Sequence, residues 1–102
     1  DMIATGGTVV QAAELVMQQG AKRVIAAATH GVMAGKAIEK LSSPAVSEIV
    51  VTNTVPLGPR VDPIKHKLTE LCVGDLLGEA IHRIHSNLSI SALFRGTAGV
   101  KR

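Results

Sequence analysis

Asp1-Met2-Ile3-Ala4-Thr5-Gly6-Gly7-Thr8 sets one carboxylate ahead of a glycine- and threonine-rich turn, and the chain then runs directly into residues at helical spacing. Gly6 and Gly7 can take backbone angles barred to other residues, so successive N–H groups can converge on one anion, with the Thr5 and Thr8 hydroxyls as further donors. The start of the following helix adds partial positive charge and unpaired N–H groups. Asp1 would repel a phosphate and suits sugar hydroxyls or Mg²⁺ at the other end of a ligand. A turn with an N-capping threonine is the plain structural alternative for so short a motif.

Outward from this stretch, strands and helices alternate. Val9, Ala13, Val16 and Met17 recur at helical spacing over Thr8 to Gln19, and Gly20 follows as a stop. Val24 to Ala28 is a short continuous apolar run that reads as a buried strand, with Thr29 to Gly35 as the loop leaving it. A second helix is expected over Lys36 to Leu41, ending before Pro44, and a strand over Glu48 to Asn53. Pro56, Gly58, Pro59 and Pro63 predict an exposed loop that continues neither helix nor sheet. Lys67 to Val73 is the least regular strand, and a last amphipathic helix carries Leu76, Leu77, Ala80, Ile81 and Ile84, with Asp75 at its start. This alternation predicts an α/β fold with a doubly wound, mostly parallel sheet. Ligands gather at the C-terminal ends of strands in such folds, which is where Asp1 to Thr8, Thr29 to Gly35 and Thr52 to Thr54 would lie.

Composition narrows the function classes. The chain has 102 residues, 46% of them hydrophobic, with Phe94 as its single aromatic, so the core must be built from Val, Ile, Leu and Ala. Such a length gives one domain at most. No apolar run approaches the length needed to span a membrane, and no signal peptide is apparent. The lone Cys72 cannot form an internal disulfide, which fits a cytoplasmic setting, and it reads as a small buried hydrophobe. A net charge of +3 without an arginine-rich stripe gives little support for nucleic acid and suits an anionic small molecule.

Several segments carry a resemblance. The opening Asp-Met-Ile-x-Thr-Gly-Gly-Thr resembles the 5-phosphoribosyl-1-diphosphate (PRPP) loop of the phosphoribosyltransferase fold. Ala28-Thr29-His30-Gly31-Val32-Met33-Ala34-Gly35, Val50 to Pro56, Leu77 to Ile84 and Ser89-Ile90-Ser91-Ala92-Leu93-Phe94 are similar, in order and spacing, to the C-terminal third of the ribose-phosphate pyrophosphokinase (PRPP synthetase) family. The resemblance covers Asp1 to Phe94 and leaves the basic end, Arg95 to Arg102, unmatched. It implies a phosphoribosyltransferase-like, Rossmann-like C-terminal domain over residues 1–102, incomplete at its N-terminus and part of a two-domain, homo-oligomeric enzyme. That enzyme would pass diphosphate from ATP, with Mg²⁺, to ribose 5-phosphate, giving PRPP and AMP.

The resemblance also implies roles for single residues. Thr5, Gly6, Gly7 and Thr8 would hold the 5-phosphate of ribose, and Asp1 would meet the ribose 2- and 3-hydroxyls, with Mg²⁺ as its metal. Ser89 and Ser91 would belong to a regulatory site for phosphate or ADP. Ala4 departs from the family pattern, since many members carry aspartate there, and this removes one polar contact near the ribose. At the active-site loop formed by Thr29 and His30, the histidine suits either acid–base work or a loop-ordering hydrogen bond. His82 and His85, three apart on a helix, read as surface residues. A PRPP-consuming phosphoribosyltransferase and a non-catalytic, phosphate-binding relative are the rival readings; the Ser89 to Phe94 ending opposes the first, and Ala4 and the expected truncation keep the second open.

Overall fold

Four parallel strands lie side by side in the order in which they occur in sequence: β1 (Met2–Ile3), β2 (Ile25–Gly31), β3 (Glu48–Thr52) and β4 (Leu68–Leu71). The computed structural model describes residues 1–95 and falls into two compact units, Asp1–Cys72 and Val73–Arg102, of which the first holds the whole sheet. Met2 is in register with His30, Ile25 with Glu48, and Ile49 with Leu68. The fold is therefore α/β with an all-parallel sheet.

β3 shows why these residues pair as they do. Its β-branched residues alternate across the pleat, so Ile49 and Val51 are fully buried on one face while Val50 and Thr52 point to the other. Helices α1 (Gly7–Gln18) and α2 (Ala37–Leu41) and a 3₁₀ helix (Pro59–Lys67) supply the matching layer. Ala13, Ala37, Leu41, Val61 and Ile64 from these elements join Ile3, Met33, Val46, Ile49, Val51 and Leu57 in one core. Just past the end of α1, Gly20 is left-handed, φ 103°; its N–H reaches the Met17 carbonyl at 3.1 Å and Ala21 N–H the Val16 carbonyl at 3.0 Å. This double bond pattern satisfies two carbonyls left open by the last turn.

In the second unit, α3 (Gly74–His85) ends in the same way with Asn87 as the left-handed residue, φ 56°, and Leu88 N–H on the Arg83 carbonyl at 2.8 Å. Glu79 and Arg83 pair at 2.9 Å across one turn. Leu76, Leu77, Ile81 and Ile84 are all exposed.

Some expectations change. Because the strand order never reverses and all three connecting elements share one core, the four strands are wound on one face only; Ile25 and Leu71 on the sheet are about half exposed. The expected double winding has no counterpart within β1–β4. β2 runs on through Thr29, His30 and Gly31, which were expected in a loop, because Met2 and Ile3 pair there. These two residues, directly after Asp1, form the short first strand. The proline-rich connection is a nine-residue 3₁₀ helix: Pro59 starts it with φ preset, and Val61 and Ile64, three apart, bury on one side at its three-residue period. Asp75 lies in the first turn of α3, at the start of the helix as expected, while the N-cap is Val73. Cys72 is exposed, since β4 stops at Leu71 on the sheet edge, and its Sγ accepts from Asn53 Nδ2 at 3.3 Å. Val16 and Met17 are exposed, so α1 meets the core through Val9, Val10 and Ala13.

Candidate functional site

The parallel arrangement brings the ends of β1, β2 and β3 to one edge of the sheet. β1 is so short that Asp1, just before it, also sits there, and its carbonyl accepts from His30 N–H at 2.9 Å. Ala4 to Thr8 leaves this edge and turns into α1, with Met2, Ile3, Ala4, Thr5, Gly6 and Thr8 around a hollow of about 140 Å³.

Gly6 is the pivot of that turn. Its φ of 79° is left-handed, and a Cβ on it would lie 3.3 Å from Leu41 Cγ and 3.5 Å from the Ala37 carbonyl, so both conformation and space call for glycine. Gly7 needs no such freedom: it is the first helical residue, and its Cβ position is open but for Lys40 Nζ at 3.5 Å. The first i→i−4 bond of α1 runs from Val10 N–H to the Gly6 carbonyl at 3.0 Å. The N–H groups of Gly7, Thr8 and Val9 thus precede the intrahelical ladder. No side chain caps this helix, so Thr5 does not act as the N-cap of the structural alternative, and Thr5 and Thr8 are exposed. The result is a cluster of donors at a positive helix end.

Beside the loop, three carbonyl contacts fix its base. Val32 and Met33 N–H both reach the Ile3 carbonyl, at 3.0 and 3.1 Å, and Ala34 N–H reaches the Ala4 carbonyl at 2.8 Å. Met33 is buried and left-handed, φ 53°, which lets consecutive N–H groups converge.

His30 enters a hydroxyl network. Its Nδ1 lies 2.7 Å from Thr54 Oγ1; Thr52 Oγ1 donates to the Thr29 carbonyl at 2.7 Å and lies 3.1 Å from Thr54 Oγ1. An isolated antiparallel bridge joins His30 to Asn53. The loop-ordering role weighed for His30 therefore has geometry behind it. Thr52 and Thr54 were placed on the edge by sequence, but not in contact with His30.

The structure brings Asp1, Thr5 to Thr8, Thr29 and His30 to one edge. Ser89 and Ser91 lie in the second unit, both exposed; the Ser89 carbonyl accepts from Arg83 Nη1 at 3.2 Å, and Ser91 opens a 3₁₀ turn, Ser91–Leu93. Of the basic end, residues 96–102 lie outside the described residues. Among the described residues no three His, Cys, Asp or Glu gather as a metal cluster, and no helix is long and apolar enough to cross a membrane. Lys40, over Gly7, and Arg60, which binds the Val32 carbonyl at 2.9 Å, were missed; a surface lysine and a loop arginine give no sequence signal of such placement.

Residues 1–95 match the family model of the phosphoribosyl synthetase-associated domain. A ribose-phosphate pyrophosphokinase of Gloeobacter violaceus is 48% identical over 95 residues, covering 93% of this chain and 28% of its own length. That of Haemophilus influenzae is 49% identical over 94 residues, 92% of this chain and 30% of its own length. The crystal structure of phosphoribosylpyrophosphate synthetase from Mycobacterium smegmatis superposes with a TM-score of 0.76 at 41% identity, over 85% of this chain and 28% of that one. The chain thus spans under a third of the relatives it matches.

Proposed function

We propose a function that starts from one fact: the chain belongs to the phosphoribosyl synthetase-associated domain family. It is the C-terminal, phosphoribosyltransferase-like part of a ribose-phosphate diphosphokinase, residues 1–102 forming a piece of that domain, and it holds the acceptor, ribose 5-phosphate. The complete cytoplasmic, oligomeric enzyme transfers the diphosphoryl group of ATP to the anomeric hydroxyl, giving PRPP and AMP, under control by phosphate or ADP at Ser89 and Ser91.

One observation carries the reading: the left-handed Gly6 turns β1 into α1 so that the Gly7, Thr8 and Val9 N–H groups stand open at a helix start. A phosphate dianion there accepts from these groups and from the Thr5 and Thr8 hydroxyls, and the helix dipole favours its charge. Asp1, at the same edge, accepts from the ribose hydroxyls. His30, fixed by Thr54, orders the neighbouring wall rather than moving a proton. Thr5 to Thr8 and Asp1 together fix both ends of the sugar phosphate, and such positioning is most of what a phosphoryl acceptor requires.

Mg²⁺ holds few protein ligands and keeps much of its water, so a single exposed carboxylate such as Asp1 fits it. When bound, the ion neutralises phosphate charge.

Assaying AMP release from ATP and ribose 5-phosphate in the full-length protein tests the reading, and the 102-residue chain alone should show none. Thr8→Val should weaken ribose 5-phosphate binding by about 1–3 kcal/mol, through loss of a donor to a charged group. Unchanged affinity would move the phosphate site elsewhere.

A further inference from the structure

Arg60 projects from the 3₁₀ helix and spends its donors on backbone carbonyls of two different segments. Its Nε donates to Leu57 at 2.9 Å, and its Nη2 to Val32 at 2.9 Å and to Pro56 at 3.3 Å. Neither ion pair found among the described residues involves it. The Leu57 and Pro56 contacts are local to its own connection. The Val32 contact reaches 28 positions back in sequence, to the segment that brackets the base of the loop.

That segment is strained and purposeful. Met33 is held left-handed with its side chain buried, a conformation costly for a residue with a Cβ. In return Val32, Met33 and Ala34 give three N–H groups to the Ile3 and Ala4 carbonyls, the last two residues before Thr5. Ala37 and Leu41, which follow, pack under Gly6. The loop therefore takes its position from residues 32–41, and residue 32 takes its own from Arg60. A charged donor on a carbonyl is stronger than a neutral one, and the planar guanidinium fixes direction as well as distance.

We propose that Arg60 is a positioning residue for the phosphate loop, acting through the Val32–Ala34 bracket on the orientation of Ala4 to Thr8 without touching the ligand. The proposal rests on reading that loop as the phosphate site. A lysine at this position keeps the charge but has one nitrogen for three carbonyls, so it restores only part of the effect.

The test uses the full-length protein with Arg60→Met, Arg60→Lys and Thr8→Val, measuring ribose 5-phosphate and inorganic phosphate binding by calorimetry and ligand-free hydrogen exchange by peptide mass spectrometry. Arg60→Met should weaken both ligands roughly tenfold, the scale of one charge-assisted hydrogen bond. It should also speed exchange in peptides covering residues 3–10 and 30–36 while leaving β3 peptides unchanged, and Arg60→Lys should fall between it and the parent. Faster exchange across β3 as well would mean general loosening, and unchanged exchange over residues 3–10 would mean no coupling; either overturns the proposal. If Thr8→Val weakens binding and Arg60→Met does not, the proposal falls and the phosphate site stands. If Thr8→Val leaves binding intact, the site reading falls, and the exchange data still decide whether Arg60 positions the loop.

Discussion

Gly6→Ala separates two reasons for a glycine at the turn. A residue with a Cβ in the left-handed region costs about 1–2 kcal/mol. Here the added carbon also meets the side chain of the fully buried Leu41 at 3.3 Å, tighter than ordinary contact, beside the Ala37 carbonyl at 3.5 Å. Crowding of this kind adds on the order of 1 kcal/mol or more. The total is about 2–4 kcal/mol, a large share of a small domain's stability. Gly20→Ala is the control: φ is 103° but nothing lies within 4 Å of the new carbon, so only the conformational cost, about 1–2 kcal/mol, remains. Gly7→Ala, at a helical position facing the flexible end of Lys40, should change stability by less than about 0.5 kcal/mol. Urea unfolding of the 102-residue chain at low, fixed concentration gives all three numbers, and phosphate calorimetry on the Gly6 and Gly7 variants shows whether the cradle survives. Equal costs at Gly6 and Gly20 would refute the claim that the loop is seated tightly on α2.

Lys67 Nζ donates to the Ser43 and Val46 carbonyls, each at 3.0 Å, and burial holds its pKa below the ordinary 10.5. The folded state then binds fewer protons than the unfolded one in the alkaline window just below 10.5, so stability should rise with pH there. Thermal melting of the parent against Lys67→Met should show this gain in the parent alone, and a parent that loses stability relative to the variant would reverse the sign. Ser89→Ala combined with Ser91→Ala should alter phosphate activation or ADP inhibition of the full-length enzyme and leave ribose 5-phosphate affinity nearly intact; loss of substrate binding with regulation unchanged would count against that assignment. The isolated chain should self-associate through its exposed apolar residues, among them Ile25, Leu71, Leu77 and Ile81, and light scattering across a dilution series would detect it; a concentration-independent monomer with a high melting temperature would oppose this.

The Gly6 turn into α1 was legible because its signal is local: glycines flanked by hydroxyl residues, with a helical period behind them. The alternating apolar residues of β3 were legible for the same reason. What sequence could not carry was pairing at a distance. The extent of β2 depends on where Met2 and Ile3 dock, and nothing in Thr29-His30-Gly31 itself asks for a strand. Arg60 was silent because its partners are carbonyls, which every residue has. The 3₁₀ helix hid behind Pro59 and Pro63, whose usual meaning as breakers was outweighed by the burial of Val61 and Ile64. Cys72 was misread because a strand end on the outermost strand is not an interior position.

The strand order has a consequence for how a ligand is enclosed. In open α/β sheets the crevice that receives a ligand forms where neighbouring connections depart to opposite faces. Within β1–β4 no such reversal occurs, so the Ala4 to Thr8 turn at the end of β1 is not set in a crevice made by these four strands alone. On the function proposed above, closure over the far end of a sugar phosphate would fall to parts of the enzyme outside these four strands. An acceptor held in this way at its phosphate would present its reactive carbon to the second substrate, like a key gripped by the bow.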